Sequence, residues 1–155
     1  MTAAARLEAI VRGFRDRRVL VLADLVADEF VYGRVERISR EAPVLILKHD
    51  ATDVRLGGGA NAVHNIRTLG ATPLPFGVVG RDPHGRKLRA LLRERGISTK
   101  GVLDETGYPT PVKSRILAGR AHSTKQQIVR LDRYVRLPPR SAVRRAVERS
   151  LRSVR

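Results

Sequence analysis

The five-residue run Val19-Leu20-Val21-Leu22-Ala23 constrains the fold more than any other part of this sequence. It lacks polar alternation, so a strand built from it needs apolar cover on both faces, as in the parallel sheets of α/β proteins. It is far too short to cross a membrane, and so is Val44–Leu47. The segments around it alternate between helix and strand. Leu7, Ile10, Val11 and Phe14 fall at helical spacing and predict an amphipathic helix from about Ala3 to Phe14. Gly57-Gly58-Gly59 opens a second helix, Ala60 to Leu69, closed by Gly70. A strand follows over Thr72–Val79. Asp82 and Pro83 then start a helix with Leu88, Leu91 and Leu92 on one face, and Gly96 stops it. Phe30–Tyr32 and Val44–Lys48, separated by the polar Gly33–Pro43, suggest an outlying antiparallel pair. Val112–Ala118 and Gln127–Leu131 read as further strands. Beyond Pro138-Pro139, Ser141 can cap a last helix over about 141–154, striped by Ala142, Val143, Ala146, Val147, Leu151 and Val154. The class is α/β with a small separate β element, and 155 residues suffice for one such domain.

Charge narrows the partners. Lysine and arginine total 31 against 15 acidic residues, a formal charge of +16. Only five of the 31 are lysine, and an arginine bias reflects GC-rich coding as readily as a binding surface. Residues 133–155 hold eight arginines against one acid, Glu148, so a basic patch for nucleic acid is conceivable. Yet three Phe, three Tyr and no Trp offer little for base stacking, and no zinc-finger spacing occurs. A basic nucleic-acid-binding protein is therefore the minor alternative. With no cysteine, a disulfide scaffold, a thiolate zinc site and a cysteine nucleophile are excluded. The first residues lack the apolar core and cleavage site of a signal peptide. A cytoplasmic protein with no membrane partner is expected.

Three positions stand out chemically. Asp24 and Asp28 sit at and just beyond the end of the first buried strand, where open parallel sheets bind ligands. A carboxylate there can accept hydrogen bonds from substrate hydroxyls or serve as a solvated turn acid. Gly57-Gly58-Gly59-Ala60-Asn61 permits close backbone approach, and Asn61 adds one donor and one acceptor group. Gly80-Arg81-Asp82-Pro83-His84-Gly85-Arg86-Lys87 mimics a nucleotide P-loop. Its lysine is one place late, no hydroxyl follows, and Asp82 would sit beside the phosphates, so the P-loop reading fails.

Six ordered segments resemble the ribokinase-like (PfkB) sugar kinases, and more closely their heptose-7-phosphate kinase branch. Val19–Asp28 is similar to that branch's first strand and substrate aspartate. Tyr32-Gly33 followed by Arg37–Val44 resembles its lid. Gly57–Val63, with Leu69-Gly70-Ala71 and Gly77–Asp82, is similar to the family's N-terminal signature. Pro111–Arg115 and Gln126–Asp132 follow in the expected order. The resemblance spans about Arg18 to Asp132. It implies the N-terminal half of a ribokinase-like parallel-sheet fold with a small β lid, from segments at about 30–48 and 107–132. It further implies that Asp28, Gly57, Gly58 and Asn61 hold sugar hydroxyls, and that Lys113, Arg115 and Arg130 are candidates for a substrate phosphate. Members transfer the ATP γ-phosphoryl group, with Mg2+, to a sugar hydroxyl; in the heptose branch the acceptor is the anomeric hydroxyl of a lipopolysaccharide precursor.

The departures are equally specific. A family kinase is about twice as long, and its C-terminal half carries the ATP site and a Gly-Ala-Gly-Asp motif that this chain lacks. Pro73 and Pro75 interrupt a strand that should be buried, where each removes a ladder donor. The expectation is a substrate-binding half, inactive alone, with no catalytic residue or metal ligand of its own and ATP binding poorly to it. Its partners would be a sugar phosphate and either a second copy, paired through the lid, or a complementary C-terminal half. The alternative is a non-catalytic sugar-phosphate-binding or dimerisation module.

Overall fold

In chain order the elements are α1 (Ala3–Arg12), a 3-10 turn (Gly13–Asp16), β1 (Arg18–Leu22), β2 (Leu25–Ile38), β3 (Leu45–Gly57) and α2 (Gly58–Thr68). Then come β4 (Thr72–Gly80), α3 (Pro83–Glu94), β5 (Val102–Glu105), β6 (Val112–Gly119) and β7 (Gln126–Arg133). This computed structural model describes residues 2–119 and 124–136, with Arg145, Glu148 and Arg149. Apart from those three positions, the helix expected over 141–154 lies outside the described residues.

The strands form two sheets. A parallel base sheet runs β1-β4-β5, and a lid sheet runs β3-β2-β6-β7. Within the lid only the β2–β6 pair is parallel. The chain passes from β1 straight into β2, so the lid grows out of the base rather than standing apart. Leu25, Ala27 and Leu56, at the root of the hairpin, are buried in one cluster with Val63, Val79, Leu88, Leu92 and Val112. A fully buried leucine contributes about 1.5–3 kcal/mol of apolar transfer. That burial explains why β2 and β3 reach well beyond the expected Phe30–Tyr32 and Val44–Lys48: the hairpin is anchored at Leu25 and Leu56, not at its polar middle.

Two expectations need correction. Val19–Ala23 is not buried on both faces among the described residues: no residue of β1 is fully buried, and Leu22 is 57% exposed. Likewise α1 buries none of its residues, and Leu7, Ile10 and Val11 face solvent. The strand β5, four residues long, was not anticipated.

The two prolines of β4 are tolerated for a directional reason. The N–H of Thr72 donates to Arg17 on the β1 side, whereas that of Gly77 donates to Gly101 on the β5 side. N–H groups alternate along a strand, so Pro73 and Pro75 lack theirs on the β5 side. There the ladder begins only at Gly77, opposite Val102. No ladder bond is lost.

Asp82 fixes the start of α3 and the approach to β6 together. Its carboxylate accepts from the Gly85 N–H (2.7 Å), the Thr110 N–H (2.7 Å) and the Thr110 hydroxyl (2.8 Å). The Thr110 hydroxyl oxygen in turn accepts from the Gly80 N–H at 2.9 Å. Burial alone would push the Asp82 carboxyl up, but these donors outweigh it and hold it below the ordinary aspartate value.

Candidate functional site

Asp28, Gly57 and Arg115 converge where the lid leaves the base. The Asp28 Cγ lies 2.5 Å from where a Cβ on Gly57 would stand, so only glycine admits the carboxylate here. Asp28 Oδ1 meets Arg115 Nη1 at 2.8 Å. Both atoms are buried without hydrogen-bond geometry to each other or to a further partner, an ion pair with capacity to spare. Arg115 and Arg55 both stack on the Phe30 ring, at 5.2 and 4.8 Å from its centroid.

Strand register places the remaining cations on the same face. Lys113 stands opposite Asp28 on β2 and opposite Asp132 on β7. Arg130 stands opposite Arg115, and its Nε pairs with the Asp132 carboxylate at 2.9 Å. Lys113 therefore lies between two acids, while Arg130 is exposed at the sheet edge and already engaged. Gly58 takes φ +51 at the first position of α2, a left-handed conformation that glycine reaches without penalty. The Gly59 N–H donates to the Asp24 backbone carbonyl at 3.0 Å and ties α2 to the β1–β2 turn. Asn61 is exposed on that helix's first turn.

A cavity of about 620 Å³ adjoins this cluster, lined by Asp24, Tyr108, Lys113, Asp132, Arg133 and Arg136 among others. It offers carboxylates for hydroxyls, cations for an anion and an aromatic wall. Burial, and then the Asp24 charge, push the Tyr108 phenol above its ordinary value, so it stays protonated and able to donate. Of the residues expected to bind substrate, Lys113 alone lines the cavity and stands opposite Asp28; Asp28, Gly57, Gly58, Asn61, Arg115 and Arg130 lie outside its lining. Sequence reasoning passed over Tyr108, Arg133 and Arg136. Asp132 ends the Gln126–Asp132 segment, and the sequence assigns it no role. The Tyr108–Pro111 turn ahead of β6 is the available signal, since it carries an aromatic that lines the cavity.

The pseudo-P-loop does not fit a nucleotide phosphate. Asp82 occupies the N-terminus of α3 that a phosphate would need. Among the described residues no three His, Asp or Glu side chains gather as a metal would require. No described helix is long and apolar enough to cross a membrane.

Residues 18–129 match the sequence profile of the pfkB family carbohydrate kinases. The chain belongs to that family. It is 43% identical over 116 residues to the bifunctional protein HldE of Citrifermentans bemidjiense, a match covering 75% of this chain and 23% of that protein. The pfkB chain thus spans about a quarter of such a relative. Among solved structures it resembles a carbohydrate kinase from Agrobacterium tumefaciens (TM-score 0.56, 23% identity, 76% of this chain and 35% of that one). It also resembles the ribokinase from Cryptococcus neoformans in complex with ADP (TM-score 0.53, 22% identity, 81% and 38%). These likenesses establish the ribokinase-like α/β fold, of which this chain represents the N-terminal part with its β lid.

Proposed function

We propose that this chain is the substrate-binding part of a sugar-phosphate kinase of the heptose-phosphate type. One observation carries the reading: the cavity in which Asp24, Lys113 and Tyr108 converge, with Lys113 directly opposite Asp28. Asp28, Gly57, Gly58 and Asn61 would surround the sugar hydroxyls. Lys113 would meet the phosphate first, with Arg115 and Arg130 flanking it on the same face. A carboxylate and a cation at fixed separation suit a ligand bearing hydroxyls at one end and phosphate at the other. ATP and Mg2+ would be held by the remainder of a complete family enzyme, because the Gly80–Lys87 loop is closed by its own aspartate. The lid ends on β3 and β7, and pairing of two copies through it would protect those edges.

Calorimetry with heptose 7-phosphate and with the unphosphorylated heptose tests the reading. The expected result is binding that requires the phosphate and disappears in Asp28→Ala, because a hydrogen bond to a charged group contributes about 1.5–3 kcal/mol. Equal affinity of the wild type and Asp28→Ala would overturn it.

A further inference from the structure

Beside the candidate site lies a second polar cluster, whose Glu29, Ser114 and His84 do not line the cavity and whose Arg133 does. Glu29 Oε1 accepts from His84 Nε2 at 2.9 Å. Glu29 Oε2 accepts from the Ser114 hydroxyl at 2.5 Å and from Arg133 Nη2 at 3.4 Å. Arg133 Nη2 also reaches Ser114 Oγ at 3.5 Å. One carboxylate, its side chain only 16% exposed, thereby joins β2, β6 and β7 of the lid to the first turn of α3 in the base.

Successive side chains on a strand point to opposite faces. Each lid member of this cluster is therefore a sequence neighbour of a candidate site residue on the other face, and Arg133 also reaches the cavity rim. Glu29 follows Asp28; Ser114 separates Lys113 from Arg115; Arg133 follows Asp132. The pairing register sets Glu29 opposite Ser114, just as it sets Asp28 opposite Lys113. Fixing the rear side chains fixes the strands' relative rotation, and with it the spacing of the front ones.

We propose that Glu29 is a positioning residue, a clasp that holds β2, β6 and β7 against α3 so that Asp28, Lys113 and Asp132 keep the spacing a sugar phosphate needs. This inference rests on the substrate-binding reading above. No reaction step passes through Glu29, which faces away from the cavity. The geometry also excludes a serine-nucleophile triad: the Ser114 hydroxyl bonds to the carboxylate, and the imidazole bonds to that carboxylate's other oxygen. Burial alone would push the Glu29 carboxyl up. The hydrogen bonds from Ser114 and His84, and the charges of His84 and Arg133, outweigh that and hold it below the ordinary glutamate value.

The test compares the wild type with Glu29→Gln, and with Ser114→Ala as a milder second variant should the first fail to fold. Two readouts are taken: affinity for heptose 7-phosphate, and amide hydrogen exchange resolved by strand. The clasp predicts affinity at least about tenfold weaker, as for losing a charge-assisted hydrogen bond. It also predicts faster exchange in β6 and β7, with β1 and β4 unchanged. Affinity within twofold of the wild type, or exchange accelerated evenly across both sheets, would overturn it. If the wild type itself does not bind heptose 7-phosphate, the substrate reading fails. The exchange pattern then still decides whether Glu29 holds the lid strands to the base.

Discussion

Replacing Asp82 by alanine removes the acceptor for three donors at once: the N–H of Gly85, the N–H of Thr110 and the Thr110 hydroxyl. Loss of a helix N-cap costs about 0.5–2 kcal/mol. Thr110 is only 3% exposed, so its stranded N–H adds about 1–3 kcal/mol. Its hydroxyl can turn to another acceptor and is not counted. The expected loss is about 2–4 kcal/mol, a large fraction of the stability of a small domain. Asp82→Asn should fall between the two. Its oxygen can keep the Gly85 and Thr110 hydroxyl bonds, but its amide then opposes the Thr110 N–H, donor against donor. Acidification should act in the same direction. The folded-state value of Asp82 is depressed, so its stabilisation is complete above the unfolded aspartate value of about 3.9 and is lost as pH falls through the lower folded value. Urea denaturation followed by circular dichroism at pH 7 measures these differences. A loss below about 1 kcal/mol for Asp82→Ala would refute the reasoning, because it would mean that the three bonds are replaced by water without penalty.

Gly57→Ala should displace the Asp28 side chain, because the new methyl would occupy the position now held by its carboxylate. Since that carboxylate is the movable end of a side chain, stability should fall by only about 1–2 kcal/mol. Sugar-phosphate affinity should suffer more, and calorimetry beside a melting curve separates the two effects. The purified chain should show no ATP turnover with heptose 7-phosphate alone and should gain it when co-expressed with a C-terminal family half. Phosphoryl transfer depends on aligned donors at the γ-phosphate, which the Asp82-closed loop does not present. A coupled ATPase assay of both preparations decides this.

The parts of the fold legible in the sequence are those whose signal is local. The α2 and α3 helices announce themselves through glycine and proline boundaries and apolar stripes, and β4 through its apolar residues. By contrast β5, Val-Leu-Asp-Glu, offers two apolar residues and no alternation, so nothing local marks it. The far end of β2 and the middle of β3 carry Arg34, Glu36, Arg37 and residues 48–53, which are exposed or half-buried and look like loop. They are strands because the hairpin register pairs the two segments along their length, with irregularities only at Tyr32/Gly33 and Val35/Arg37. In sequence Pro73 and Pro75 look like faults in a central strand; the Thr72 and Gly77 hydrogen bonds put their missing donors on the β5 side, where the ladder starts only at Gly77. For the site, the motif segments carried Asp28, Gly57 and Lys113 because each lies within a few residues of a strand end or a glycine turn. The Glu29 clasp was not legible, because its partners lie 55, 85 and 104 residues away and meet only through the sheet register.

The most direct measurement is an NMR titration of the isotope-labelled chain with heptose 7-phosphate, mapping amide shifts onto the two sheets. The substrate-binding account predicts saturable shifts at residues 24–28, 57–59, 108–115 and 132–136, around the cavity and the Asp28–Gly57 contact. Shifts confined to arginines remote from that cavity and weakened in proportion to added salt would contradict it, as would the absence of any saturable shift.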